Sequence, residues 1–150
     1  MKKALKLFLI SALVLSTCGC NKYIKSTHEG DLYYGAYNRR DFIHADVTIY
    51  KKDSDKVCNG VVILNAPTRS FTMKNDRVDA KMKLGCNDGS IMDMKWKLRK
   101  GSFTDGYGEG TDQFNNKYTF KTISKAEFKK IADIKRVKYP NSKNPSYLKY

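Results

Sequence analysis

The chain of 150 residues predicts a mainly β fold: a small antiparallel barrel, sandwich or curved sheet of about six to eight strands, with one C-terminal helix. Three observations predict it. Apolar and polar residues alternate over much of residues 42–99, the period of half-buried strands. Clusters of Asn, Asp, Ser and Gly, whose side chains or backbone freedom favour turns, punctuate these runs. A paired helix-start signal stands at Ser124.

The chain begins with Lys2, Lys3 and Lys6, then an apolar run Leu7 to Leu15, then small residues Thr17 to Gly19 before a cysteine. This order is that of a secretory signal peptide over residues 1–19. The apolar run is too short to cross a bilayer, which takes about 20 residues of helix. Its end, LSTCGC, resembles the lipobox of bacterial lipoproteins, in which a small residue precedes a cysteine that is lipidated and becomes the mature N-terminus. Gly19 before Cys20 makes Cys20 the lipidation site that the resemblance implies. Cys18, after the bulkier Thr17 but with Leu15 and Ser16 upstream, is the alternative. The implied location is the bacterial envelope, on the extracytoplasmic side of either membrane, with the lipid itself as the membrane contact.

About 130 residues remain, enough for one domain with its own core. The formal charge of +14 falls to +11 when Lys2, Lys3 and Lys6 leave with the signal. Such a field favours anionic partners and informs association rather than fold. Of the four cysteines, Cys58 and Cys86 lie outside the processing region. An exported domain keeps such a pair oxidised, so a Cys58–Cys86 disulfide is expected. Closing a loop of about 28 residues contributes roughly 3 kcal/mol in the chain-entropy model.

Residues 20–31, polar and aperiodic, read as a tether, and residues 32–135 as the domain. Leu32 to Asn38 is rich in tyrosine. From Phe42 to Tyr50, Ile43, Ala45, Val47 and Ile49 share one face, opposite His44, Asp46 and Thr48. KKDSDK, 51–56, is a turn. Val57 to Leu64 is nearly continuous in apolar residues, the mark of a central strand, with Gly60 at a bulge or close backbone approach. A short strand, Arg69 to Lys74, is expected before Asn75-Asp76. Val78, Ala80, Met82, Leu84 and Cys86 then alternate with Asp79, Lys81, Lys83 and Gly85. Asn87-Asp88-Gly89-Ser90 carries the Asp-Gly signal of a type I′ hairpin. Its return strand, Ile91 to Arg99, sets Met92, Met94, Trp96 and Leu98 against Asp93, Lys95 and Lys97.

Gly106, Gly108 and Gly110 recur at every second residue of the next segment. In a strand that spacing bares one face, to be filled by a neighbouring ring or approached by a ligand. Tyr33, Tyr37, Gly106, Tyr107, Gly108 and Gly110 are therefore the residues of a candidate ligand face. No phosphate loop follows, since no Gly-Lys-Ser/Thr is present there. Asp105, Glu109 and Asp112 match no calcium loop and read as solvated charge. GYGEGTDQFNNKYTF, ending in a turn and the strand Tyr118 to Thr122, resembles the MORN repeat, a glycine-bearing β-hairpin; it occurs once, and hairpin physics alone accounts for it.

Ser124 and Glu127 form a capping-box pattern, and Ile123 and Phe128 a hydrophobic staple, so a helix is expected over 124–135. Phe128, Ile131 and Ala132 face one way; Lys125, Lys129 and Lys130 face the other. Residues 136–150, with Pro140 and Pro145, read as a flexible basic tail. Lys125, Lys129, Lys130, Lys135, Arg136 and Lys138 form a candidate surface for anionic membrane or polymer.

Catalytic motifs are absent from the chain: no G-x-S-x-G, H-E-x-x-H or paired-cysteine C-x-x-C redox motif occurs. His28 falls in the tether and His44 on a solvent face, neither beside a nominated nucleophile. No catalytic residue, metal ligand or cofactor site is assigned. The leading expectation is a non-catalytic structural or accessory envelope lipoprotein whose partner is an envelope protein or an anionic polymer. A ligand- or inhibitor-binding barrel is the alternative, because Cys86-Asn87-Asp88-Gly89 is similar to the cysteine-turn element of lysozyme-inhibitor lipoproteins. The basic charge opposes it, since an inhibitor of cationic lysozyme would be steered by acidic residues. Nucleic-acid contact in DNA uptake or secretion ranks last.

Overall fold

The computed structural model describes residues 22–65, 77–99 and 105–137. Eight strands, β1 (Lys22–His28), β2 (Asp31–Arg39), β3 (His44–Lys51), β4 (Val57–Leu64), β5 (Arg77–Cys86), β6 (Ile91–Arg99), β7 (Tyr107–Asp112) and β8 (Lys117–Ile123), precede one helix, α1 (Lys125–Ile131). Each strand pairs antiparallel with the next, and β8 returns to β1, so the sheet is a closed barrel. Of the three architectures expected from sequence, closure selects the barrel, which leaves no edge strand unpaired.

The strand that closes the barrel overturns one expectation. Most of the proposed tether, residues 20–31, is β1, with Tyr23 to Thr27 paired to β8 on one side and Lys22 to His28 paired to β2 on the other. The β1–β2 link is a two-residue turn, Glu29-Gly30, with φ of 47° and 90°. Positive φ at both positions gives the twist a tight hairpin needs. The expected type I′ turn at Asp88-Gly89 has positive φ only at Gly89. Asp88 instead accepts hydrogen bonds from Ser90 N and Oγ at 3.0 and 2.6 Å, and Lys56 Nζ stands 2.8 Å from its other oxygen.

An eight-stranded barrel of this kind has an interior just wide enough for side chains, and side chains fill it. Val47, Ile49, Met82, Leu84, Met92, Met94, Trp96 and Phe120 are among its buried residues. Trp96 stacks on Phe120 at 5.4 Å, and Tyr33 meets Tyr118 edge-on at 5.8 Å. The alternation expected for β5 and β6 holds: Ala80, Met82, Leu84, Met92, Met94, Trp96 and Leu98 are buried. In β3 it does not hold: Ile43 lies in the preceding loop and is exposed, and Asp46 and Thr48, expected on a solvent face, are buried along with Ala45, Val47 and Ile49, Asp46 bound by Arg40 and Thr48 donating to Asn59 Oδ1 at 2.8 Å. Gly60 sits where a Cβ would run into the Lys83 carbonyl oxygen, and Gly108 where it would meet that of Lys95. These inward-facing glycines let adjacent strands bend tightly enough to close.

The Cys58–Cys86 disulfide is present and joins directly opposed residues of β4 and β5. Helix α1 starts as expected: Glu127 N donates to Ser124 Oγ at 3.1 Å. It ends at Ile131 rather than at 135, because Ala132 turns extended and Asp133 Oδ1 accepts from Lys135 N, a local bond that competes with the helix. Lys135, expected in the last turn of the helix, therefore lies beyond it. The helix docks on the outside of the barrel, where Phe128 stacks on Tyr23 at 4.3 Å and meets Tyr34 edge-on. Tyr23, Tyr34, Ala36, Tyr50 and Phe128 form a second core there. The expected strand 69–74, the signal peptide, Cys18, Cys20, Lys138 and the tail from 138 onward lie outside the described residues.

Candidate functional site

Five of the six residues of the candidate ligand face lie on the inner face of the barrel, and Tyr107 does not. Tyr33 and Tyr37 point inward among the core residues, as does the row carrying Gly108 and Gly110. Gly106 is also inward-facing: a Cβ there would meet Leu98 and Trp96. Tyr107, one residue along a strand of period 2, points out and is half exposed, with Arg77 over its ring at 5.2 Å. Burial pushes the Tyr37 and Tyr118 hydroxyls up from their ordinary range, as expected for rings held in a packed interior.

Asp112 departs from the solvated state expected of it, for it is only 6% exposed. Burial works to raise its pKa, but hydrogen bonds from Asn116 Nδ2 and N at 2.8 and 3.0 Å, Phe114 N at 2.9 Å and Tyr118 Oη at 3.2 Å prevail and lower it. It is the linchpin of the β7–β8 turn. Asp105 and Glu109 are exposed. His28, placed in the tether by sequence, lies instead at the end of β1, its ring tilted against that of Tyr118 at 4.6 Å and its Nδ1 2.8 Å from the Lys117 carbonyl oxygen. His44 is held by Asp41, whose carboxylate also accepts from Ile43 N and His44 N. Among the described residues no three His, Cys, Asp or Glu side chains converge as a metal site.

Chemistry concentrates on the outer wall formed by β5 to β8. Strand register places Lys81 beside Lys95, Lys95 beside Glu109 and Glu109 beside Thr119 in one row. The next row runs Lys83, Asp93, Thr111 and Lys117. Between them lies an open groove of about 540 Å³, bordered by Lys81, Asp93, Lys95, Glu109, Thr111 and Lys117. Lys97 is paired with Asp79 at 3.0 Å. Lys81, Lys83, Lys95 and Lys117 have no ion pair among the described residues. Like charges directly opposed across a strand pair, as Lys81 and Lys95 are, repel.

Of the basic residues expected to form a C-terminal surface, Lys125, Lys129, Lys130 and Lys135 are exposed and Arg136 is half-buried. Glu127 stands 3.7 Å from Lys25 and 3.8 Å from Lys121, so a carboxylate separates the helix lysines from the wall lysines at the β8–β1 seam. The wall was in view in the sequence as the polar half of two alternating strands. Its concentration was not, because strand pairing decides which lysines become neighbours.

No protein-family model matches the chain, and no curated protein matches it. Among solved structures, it is similar to a de novo designed fluorescence-activating β barrel at a TM-score of 0.48 and 12% identity, over 68% of this chain and 88% of that one.

Proposed function

We propose that the chain is an exported lipoprotein whose barrel is a non-catalytic binding module for an anionic polymer of the bacterial envelope, held by the lysine wall of β5 to β8. The unpaired cluster of Lys81, Lys83, Lys95 and Lys117 carries this reading. A surface on which four lysines form no ion pair among the described residues and outnumber the two carboxylates in their rows, Asp93 and Glu109, favours a multiply charged anion, and that attraction is screened steeply by salt. The leader and its lipobox-like end support export, and the Cys58–Cys86 disulfide suits an oxidising compartment. The ligand-binding alternative is less favoured, since its ligand would have to enter an interior already occupied by Trp96, Phe120, Tyr118 and Tyr33.

Inorganic polyphosphate titrated against the full chain at several salt concentrations tests the reading. Binding that weakens steadily with salt is expected, together with a loss in a Lys81→Gln, Lys95→Gln, Lys117→Gln variant. At roughly 0.5–1 kcal/mol per lysine near an anionic surface, that loss is about tenfold or more. Equal binding by parent and variant would overturn the wall as the site.

A further inference from the structure

The barrel has two chemically different ends. At one end lie the start of β1, the β2–β3 loop, the end of β4, the start of β5 and the end of β6. Arg39, Arg40, Arg77 and Arg99 all sit there. The turns at the opposite end hold no arginine among the described residues and carry Glu29, Asp31, Asp53, Asp55 and Asp88 together with Lys51, Lys52 and Lys56, of which Lys51 pairs with Asp31 and Lys56 with Asp88. Part of the arginine charge is answered locally: Asp46 binds Arg40, and a single carboxylate, Asp105, serves both Arg77 at 3.2 Å and Arg99 at 3.9 Å. Guanidinium groups pair with phosphate in a fixed two-point geometry that lysine lacks.

The same end exposes apolar side chains. Phe42, at the tip of the β2–β3 loop, is 86% exposed, and Ile43 and Ile63 beside it are also exposed. The Arg39 guanidinium lies over the Phe42 ring at 5.4 Å. An aromatic ring next to arginine is the pairing that suits the boundary between headgroups and acyl chains. A protruding phenylalanine in water gains nothing by comparison.

We infer that the arginine end is the membrane-facing end of the barrel, resting on anionic phospholipid headgroups with Phe42 and Ile43 entering the interface. The inference rests on the lipoprotein reading, and chain length gives it force. Lys22 is the first residue of β1 and is already paired with Tyr37. Cys20 precedes it by two residues, which reach at most about 7 Å when extended. A lipid on Cys20 therefore holds this end, and no other, against the bilayer; the short reach replaces the free tether expected from sequence.

The test uses the full lipidated chain in vesicles of phosphatidylglycerol and phosphatidylcholine with brominated acyl chains, which quench nearby tryptophan. Two variants are compared, Phe42→Trp and Phe114→Trp. Phe114 is also exposed, at 70%, but lies in the β7–β8 turn at the opposite end. Trp96, buried inside the barrel, is a constant background. Phe42→Trp is expected to shift to the blue and lose much of its added emission, more so with phosphatidylglycerol present, while Phe114→Trp keeps water-like emission. Lipidated protein with an unquenched Phe42→Trp, or with a quenched Phe114→Trp, overturns the orientation and leaves the lipoprotein reading standing. An unmodified Cys18 and Cys20 in the intact mass of the exported protein overturns both.

Discussion

Ser26 is buried on the inner face of β1, and its hydroxyl has no hydrogen-bond partner among the described residues. Trp96 Nε1 is in the same condition. A buried hydroxyl without a partner forfeits its hydration with no return. Ser26→Ala is accordingly expected to raise stability by about 1 kcal/mol, read as a higher urea midpoint at unchanged slope. Asp112 is the opposite case, a buried carboxylate with four donors. Its depressed pKa means that its contribution is present at neutral pH and is lost as pH falls through the folded-state value. The sequence led Asp112 to be read as solvated, because its acidity is visible in the chain but the donors that make burial tolerable converge only when the β7–β8 turn forms. Ser26, a polar residue in a polar stretch, carried no sign of burial at all.

Helix α1 has seven residues, too few to hold by propensity alone. Its stability comes from docking, and Phe128, 1% exposed between Tyr23 and Tyr34, is the contact that supplies it. Phe128→Ala is expected to cost about 3 kcal/mol and to release the helix from the wall, measurable by denaturation and by faster amide exchange across residues 125–131. The helix start was legible because Ser124, Glu127, Ile123 and Phe128 are local neighbours. The helix end was not, since it depends on where Asp133 turns its carboxylate. Strand β1 was illegible for a further reason. Its inner face carries Ile24 and Ser26, and its outer face carries Tyr23, which α1 covers. With apolar and polar residues on both faces, the period of 2 that marked β5 and β6 disappears.

At the scale of the whole molecule, closure by β1 makes the ring of strands cooperative. Deleting residues 22–30 would be harmless if they were a tether; in the barrel it strips partners from β2 and β8 together. Loss of the cooperative unfolding transition and a tendency to associate through the exposed edges are expected, measured by denaturant titration and sedimentation. A deletion variant that still unfolds cooperatively would mean that the barrel does not need its first strand. Other features of the molecule emerge only at this scale. The lysines of β5, β6 and β8 become one wall through register, and the arginines of distant segments gather at one end because antiparallel strands return their alternate termini to the same place. The residue order by itself determined the mainly β class, the hairpin of β5 and β6, the disulfide pair and the helix start, each of which depends on local periodicity, a turn, two cysteines or residues within one helical turn. Closure, the second core under α1, the lysine wall and the polarity of the two ends were decided by tertiary structure, because each depends on which segments far apart in the chain are hydrogen-bonded side by side.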